Sequence, residues 1–196
     1  MPSPDVNSVF IAARRDHEAG RLREAELAYR GILSSDPDHT DALHMLGLIA
    51  VQTGHLAPAE ELLAKAVAGD ASNWQSLNHL ALVRLSLGKF EPAVSDLRRV
   101  IELAPRFPDA YNSLGAALKR AGRVDEAIAC YRQALAMHPG FPEAANNLGV
   151  ALAERRQWSD AIDSYRIALT SRPSYVEALS NLGDALRAAG RTREAV

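Results

Sequence analysis

The chain holds a single cysteine, Cys130, among its 196 residues. One cysteine permits no intrachain disulfide framework, and a reduced, cytoplasmic compartment is the plain expectation. Aromatic residues make up only 6% of the chain, while alanine is abundant. A core built from such small side chains favours helices that approach closely. Neither sign of charge dominates, with 22 Lys and Arg against 24 Asp and Glu and a net charge of −2. No global field therefore favours nucleic acid or an anionic membrane. No stretch approaches the roughly 18 consecutive apolar residues of a membrane span. The opening MPSPDVNSVF lacks the basic segment and long apolar run of a secretory signal. With 47% hydrophobic and 23% charged residues, the composition is that of an ordinary globular protein.

What the chain does contain is internal repetition. YNSLGAAL begins at Tyr111, ANNLGVAL at Ala145 and LSNLGDAL at Leu179, a step of 34 residues each time. Projected backwards, the period reaches LNHLALVR at Leu77, LHMLGLIA at Leu43 and a weaker copy at Val9. A second segment repeats in phase: EPAVSDLRRVIELAP ends at Pro105, EAIACYRQALAMHP at Pro139 and DAIDSYRIALTSRP at Pro173. Units 6–39, 40–73, 74–107, 108–141, 142–175 and a partial 176–196 follow, with residues 1–5 expected to be disordered. Each unit carries two apolar runs at helical spacing, a helix A and a helix B. Glycine stands between them at Gly20, Gly54, Gly88, Gly122 and Gly190, where a left-handed residue ends a helix. The fifth unit has Arg156 there, which should strain or reshape that turn. Proline near the end of a unit stops helix B.

This pattern resembles the tetratricopeptide repeat family. The resemblance rests on the small-residue signature of helix A (Leu114, Gly115, Leu118; Leu148, Gly149, Leu152; Leu182, Gly183, Leu186). It rests equally on the helix-B alanine (Ala25, Ala59, Ala93, Ala127, Ala161, Ala195) and on Tyr29, Leu63, Leu97, Tyr131 and Tyr165 four residues later. It covers nearly the whole chain. It implies an all-α fold, a right-handed α-solenoid of antiparallel helix pairs forming a single array over 6–196. It also implies a concave groove, lined by helix A, that binds protein or peptide. Physics agrees with stacking, because one helix pair cannot bury its apolar faces alone. Gly149 would cost roughly 1 kcal/mol relative to Ala in mid-helix. It shares its repeat position with Gly47, Gly115, Gly183, Ala81 and Ala13, so close packing of helix A on helix B explains it.

The resemblance places repeat positions 2, 5, 6, 9, 12 and 13 on the concave side. Position 5 reads Phe10, His44, Asn78, Asn112, Asn146, Ser180, and position 6 reads Ile11, Met45, His79, Ser113, Asn147, Asn181. Asn78, Asn112 and Asn146 form a row, with Asn147 and Asn181 beside it. A primary amide carries two donors and an acceptor, so it can hold a peptide backbone whatever that peptide's side chains. The pattern is similar to the asparagine-lined superhelix of O-linked N-acetylglucosamine transferases. Asparagine at position 6 is also compatible with local packing, and the position-5 row is the sharper candidate. Leu48, Leu82, Ala116 and Val150 add apolar surface, while Lys119, Arg120 and Arg187 add positive charge balanced by Glu154 and Asp184. The family's carboxylate-gripping members need basic residues that this chain lacks, and Asp41, Asp109, Glu143 and Glu177 make position 2 acidic. An acidic chaperone tail is therefore a poor ligand, and mixed polar binding is expected.

No catalytic constellation is legible. His17, His39, His44, His55, His79 and His138 show no metal-ligand spacing, and there is neither a Gly-rich phosphate loop nor a nucleophile elbow. No cofactor or metal is expected. His44 and His79 face the groove one repeat apart, Cys130 reads as half-buried packing, and Trp74 and Trp158 as residues of the repeat junctions. The last unit stops at the start of its helix B, which should leave Leu182 and Leu186 exposed. The expected function is a non-enzymatic interaction scaffold, with no nucleic-acid or membrane partner. The alternative is the substrate-recognition region of a larger, glycosyltransferase-like enzyme. Self-association through the uncapped end is a further expectation.

Overall fold

A computed structural model describes residues 5–191. The expected disorder of residues 1–4 and the start of the last helix B, with Ala195, lie outside the described residues. The described chain divides between Leu103 and Ala104 into two compact units.

The first unit contains α1 (Val6–Glu18), α2 (Leu22–Ser35), α3 (Thr40–Gln52), α4 (Leu56–Gly69), α5 (Trp74–Ser86) and α6 (Phe90–Leu103). The second contains α7 (Pro108–Arg120), α8 (Val124–Met137), α9 (Pro142–Glu154), α10 (Trp158–Ser171) and α11 (Val176–Ala188). Odd-numbered helices are the A helices, each 13 residues long, and even-numbered ones the B helices, each 14. Each A helix from α1 to α9 packs chiefly on the B helix that follows it, and each B helix, within its unit, packs also on the next A helix. The chain is an all-α solenoid of helix pairs, in which contacts run between neighbours along the sequence.

Short connections demand sharp helix ends. In α1 the amide of Gly20 donates to the carbonyl of His17 and that of Arg21 to Asp16. This is the Schellman closure, which needs a left-handed residue just past the helix. The same pair of bonds ends α3, α5, α7, α9 and α11. Gly20, Gly54, Gly88, Gly122 and Gly190 take φ between 75° and 81°. Arg156 takes φ 59° and makes the same bonds, its amide to Ala153 and that of Gln157 to Leu152. The turn after α9 is thus preserved rather than reshaped, and the Cβ of Arg156 carries the strain.

The A–B contact is as tight as the glycine pattern predicts. A Cβ on Gly149 would lie 2.5 Å from the Tyr165 ring, one on Gly115 2.5 Å from the Tyr131 ring, and one on Gly47 2.8 Å from Leu63. The helix-B alanines Ala25, Ala59, Ala93, Ala127 and Ala161 are fully buried. In the first unit one cluster joins Ala13, Tyr29, Ile32, Leu46 and Ile49, and another joins Leu63, Leu80 and Val83. The third repeat departs from this apolar plan. Arg84 of α5 stands where other A helices carry Leu118, Leu152 or Leu186, and it bonds Asp96 at 2.7 Å and Glu60 at 3.3 Å. Leu186 is only 3% exposed and Leu182 half-buried, contrary to the exposure expected of them. α11 lies against both α9 and α10. The uncovered apolar residues are Val176 and Leu179, at the start of that helix.

Candidate functional site

In the second unit the asparagines are paired. Nδ2 of Asn147 donates to Oδ1 of Asn112 at 3.0 Å, and Nδ2 of Asn181 donates to Oδ1 of Asn146 at 3.0 Å. The rule is position 6 of one A helix donating to position 5 of the A helix before it. It follows from the period: parallel helices repeated every 34 residues bring these positions side by side. Asn146 is 7% exposed and also hydrogen-bonds the Tyr175 hydroxyl. The structure thus gives Asn112 and Asn146 work inside the fold, joining neighbouring repeats. Asn147 and Asn181 are half-buried, and each retains a carbonyl lone pair and an N–H beyond its bond to the partner. Tyr175 precedes its helix and carried no sequence signal for this role.

Charged residues along the same face are mostly paired. Lys119 meets Glu154 at 3.2 Å, and Arg187 pairs with Asp184. Arg120 lies on the surface beside Lys119 at the end of α7. Glu143 of position 2 pairs with Arg172, at 2.5 Å. Such exposed pairs contribute about 0–1 kcal/mol each, so they set charge pattern more than stability.

In the first unit the corresponding face carries imidazoles. His44 and His79 meet edge to face with centroids 5.1 Å apart, and Nδ1 of His44 hydrogen-bonds the Ser76 hydroxyl. Burial, and then the neighbouring His79, push the His44 pKa down to about 4, and burial lowers that of His79. Both rings are therefore neutral near pH 7. Ser76 is buried, with no pattern in the sequence to single it out. Asn78 is half-buried and its Oδ1 has no hydrogen-bond partner, as is true of Nδ1 of His79. Leu82 is exposed. A shallow cavity of about 280 Å³ lies beside His44, between Phe10, Arg14, Asp41, Met45 and Gln75.

Tetratricopeptide repeat models match residues 17–80, 79–140, 115–175 and 151–196, which is most of the chain. The chain belongs to the tetratricopeptide repeat family. No curated protein sequence matches it. Among solved structures, the crystal structure of MamA is 25% identical, covers 84% of this chain and 96% of its own, and has a TM-score of 0.77. The crystal structure of YrrB, a TPR protein with an unusual peptide-binding site, is 23% identical over 90% of this chain and 91% of its own, with a TM-score of 0.81. PilF of Pseudomonas aeruginosa is 18% identical over 97% of this chain and 86% of its own, with a TM-score of 0.82. These structures share the fold. Within it, helix-A positions 5 and 6 of this TPR chain carry four asparagines and two serines in the second unit, and two histidines, one asparagine and the apolar Phe10, Ile11 and Met45 in the first. No described helix is long and apolar enough to cross a membrane.

Proposed function

We propose that this TPR protein is an interaction scaffold that holds an extended peptide segment of a partner along the concave face of its A helices. The observation that carries the reading is the pair of bonds from Asn147 to Asn112 and from Asn181 to Asn146. Each pair fixes the plane of a position-6 amide and leaves it one acceptor and one donor. A peptide residue in extended conformation offers the complementary C=O and N–H. Adjacent A helices stand roughly 10 Å apart, and an extended chain rises about 3.3 Å per residue. Successive amides thus meet about every third peptide residue. Within the second unit, Lys119 and Arg120 would meet side chains of that segment; within the first, Asn78, Leu82, His44 and His79 would line the corresponding face for a peptide segment held there. The peptide-binding site of YrrB, a structure of the same fold, supports the choice of ligand class. The reading assigns no chemistry to the chain itself and suits a cytoplasmic partner.

Selection of a displayed library of unstructured peptides on the immobilised chain tests this. Enriched peptides should bind the Asn147→Ala, Asn181→Ala double variant about thirtyfold more weakly, as expected for two hydrogen bonds of about 1 kcal/mol each. Equal binding by wild type and variant, with the circular dichroism of both unchanged, sinks the amide reading. The same amides fit the alternative of a recognition arm in a glycosyltransferase-like enzyme. A catalytic domain encoded in the same reading frame would favour it.

A further inference from the structure

A cavity of about 410 Å³ opens among α9, α10 and α11. Val150 and Ala185 give it aliphatic walls, and the half-buried indole of Trp158 and the edge of Tyr165 an aromatic one. Glu154 and Asp184 stand on its border, and Asn181, one of the groove amides, completes the mouth. We propose that this cavity is a specificity pocket that takes a basic side chain, lysine or arginine, from the peptide held along the groove. The inference rests on the peptide-binding reading of this face and names the chemistry one of its subsites selects.

Three observations carry it. The first is shape and polarity. The methylene stem of Lys or Arg packs on apolar and aromatic surface while its charged head seeks acceptors, and an indole face attracts a cation. The second is the field. Burial, and then the Asp184 and Glu154 carboxylates, raise the pKa of Tyr165 to about 12, so both charges are felt at the wall of the cavity. Lys119 and Arg187 pair with these carboxylates but lie outside the cavity lining. Both ion pairs are solvent-exposed, so exchanging a partner for a ligand cation costs little. The third is departure from the repeat. The position of Trp158 holds Leu22, Leu56, Phe90 and Val124 in the other units, and that of Asp184 holds Arg14, Leu48, Leu82, Ala116 and Val150. The fold therefore asks for neither the indole nor the carboxylate, and only here do they meet.

Three capped peptides, Ac-Ala-Ala-Ser-X-Ser-Ala-Ala-NH2 with X arginine, norleucine or glutamate, test the pocket against Trp158 fluorescence in a Trp74→Phe background. The arginine peptide should bind about tenfold more tightly than the other two. That advantage should shrink in about 0.5 M sodium chloride and vanish in an Asp184→Asn, Glu154→Gln variant. Circular dichroism should show the variant folded. Equal affinity for all three peptides overturns the cationic pocket and leaves the groove reading standing. No saturable change with any peptide up to about 10 mM overturns both.

Discussion

Glycine 149 shows how a single residue reads in two directions. By propensity it weakens α9, and replacing it with alanine should strengthen the helix by roughly 1 kcal/mol. By packing it cannot be replaced, because the new Cβ would sit 2.5 Å from a Tyr165 ring atom and 2.7 and 2.8 Å from two others. Tyr165 is 2% exposed, so moving its ring disturbs the packing that buries it. Forcing a methyl into a filled site costs about 1–3 kcal/mol. Gly149→Ala should therefore lower stability by about 1 kcal/mol net of the propensity gain, measured by urea denaturation. Increased stability would show that α9 and α10 separate freely. Ala13, at the same repeat position, is fully buried in a cluster with Tyr29. The tolerance thus varies from repeat to repeat with the exact approach of the two helices.

Helix ends are the devices that make the elements stack. Five of the six A helices close on glycine, and α9 closes on Arg156 at φ 59°. A left-handed conformation costs a residue with a Cβ roughly 1–2 kcal/mol. Arg156→Gly should relieve it at the expense of a more flexible unfolded chain, for a net gain of about 1 kcal/mol. The melting temperature should rise by about 2–4 °C, and scanning calorimetry would show it. A fall would mean that the arginine side chain holds α9 by contacts worth more than the strain. The same scale explains the asparagines. A bond between position 6 of one A helix and position 5 of its predecessor is a property of two elements, visible only once they are placed together.

For the molecule as a whole, the buried imidazoles couple stability to pH. His44 has a folded pKa of about 4 against about 6.5 unfolded. The unfolded chain thus takes up its proton first as the pH falls. The stabilisation is fully present above pH 6.5 and is lost as the pH falls through about 4. After discounting for partial exposure, the loss is about 2 kcal/mol. His79, lowered by burial, acts in the same direction. His44→Asn installs the residue found at that repeat position in Asn78, Asn112 and Asn146. Its stability should fall less steeply between pH 6.5 and 4 than that of wild type, as read from urea midpoints across that range. Parallel curves would show that the ring is solvated in the folded chain.

The sequence by itself determined the period of 34, the alternation of A and B helices, and the glycines that end or join them. These are local or periodic demands. A left-handed closure, a missing Cβ and a stripe of Leu and Ala each recur at a fixed spacing, and repetition separates them from chance. Only the tertiary structure decided where individual polar side chains point. Asn146, the sharper candidate for ligand contact by its row, is buried against Asn181 and Tyr175. Leu186, expected bare, is covered. Trp158, expected at a junction, borders a cavity with Glu154 and Asp184. Each of these outcomes depends on which neighbour arrives within a few ångströms from another helix, and a one-dimensional period cannot encode that distance.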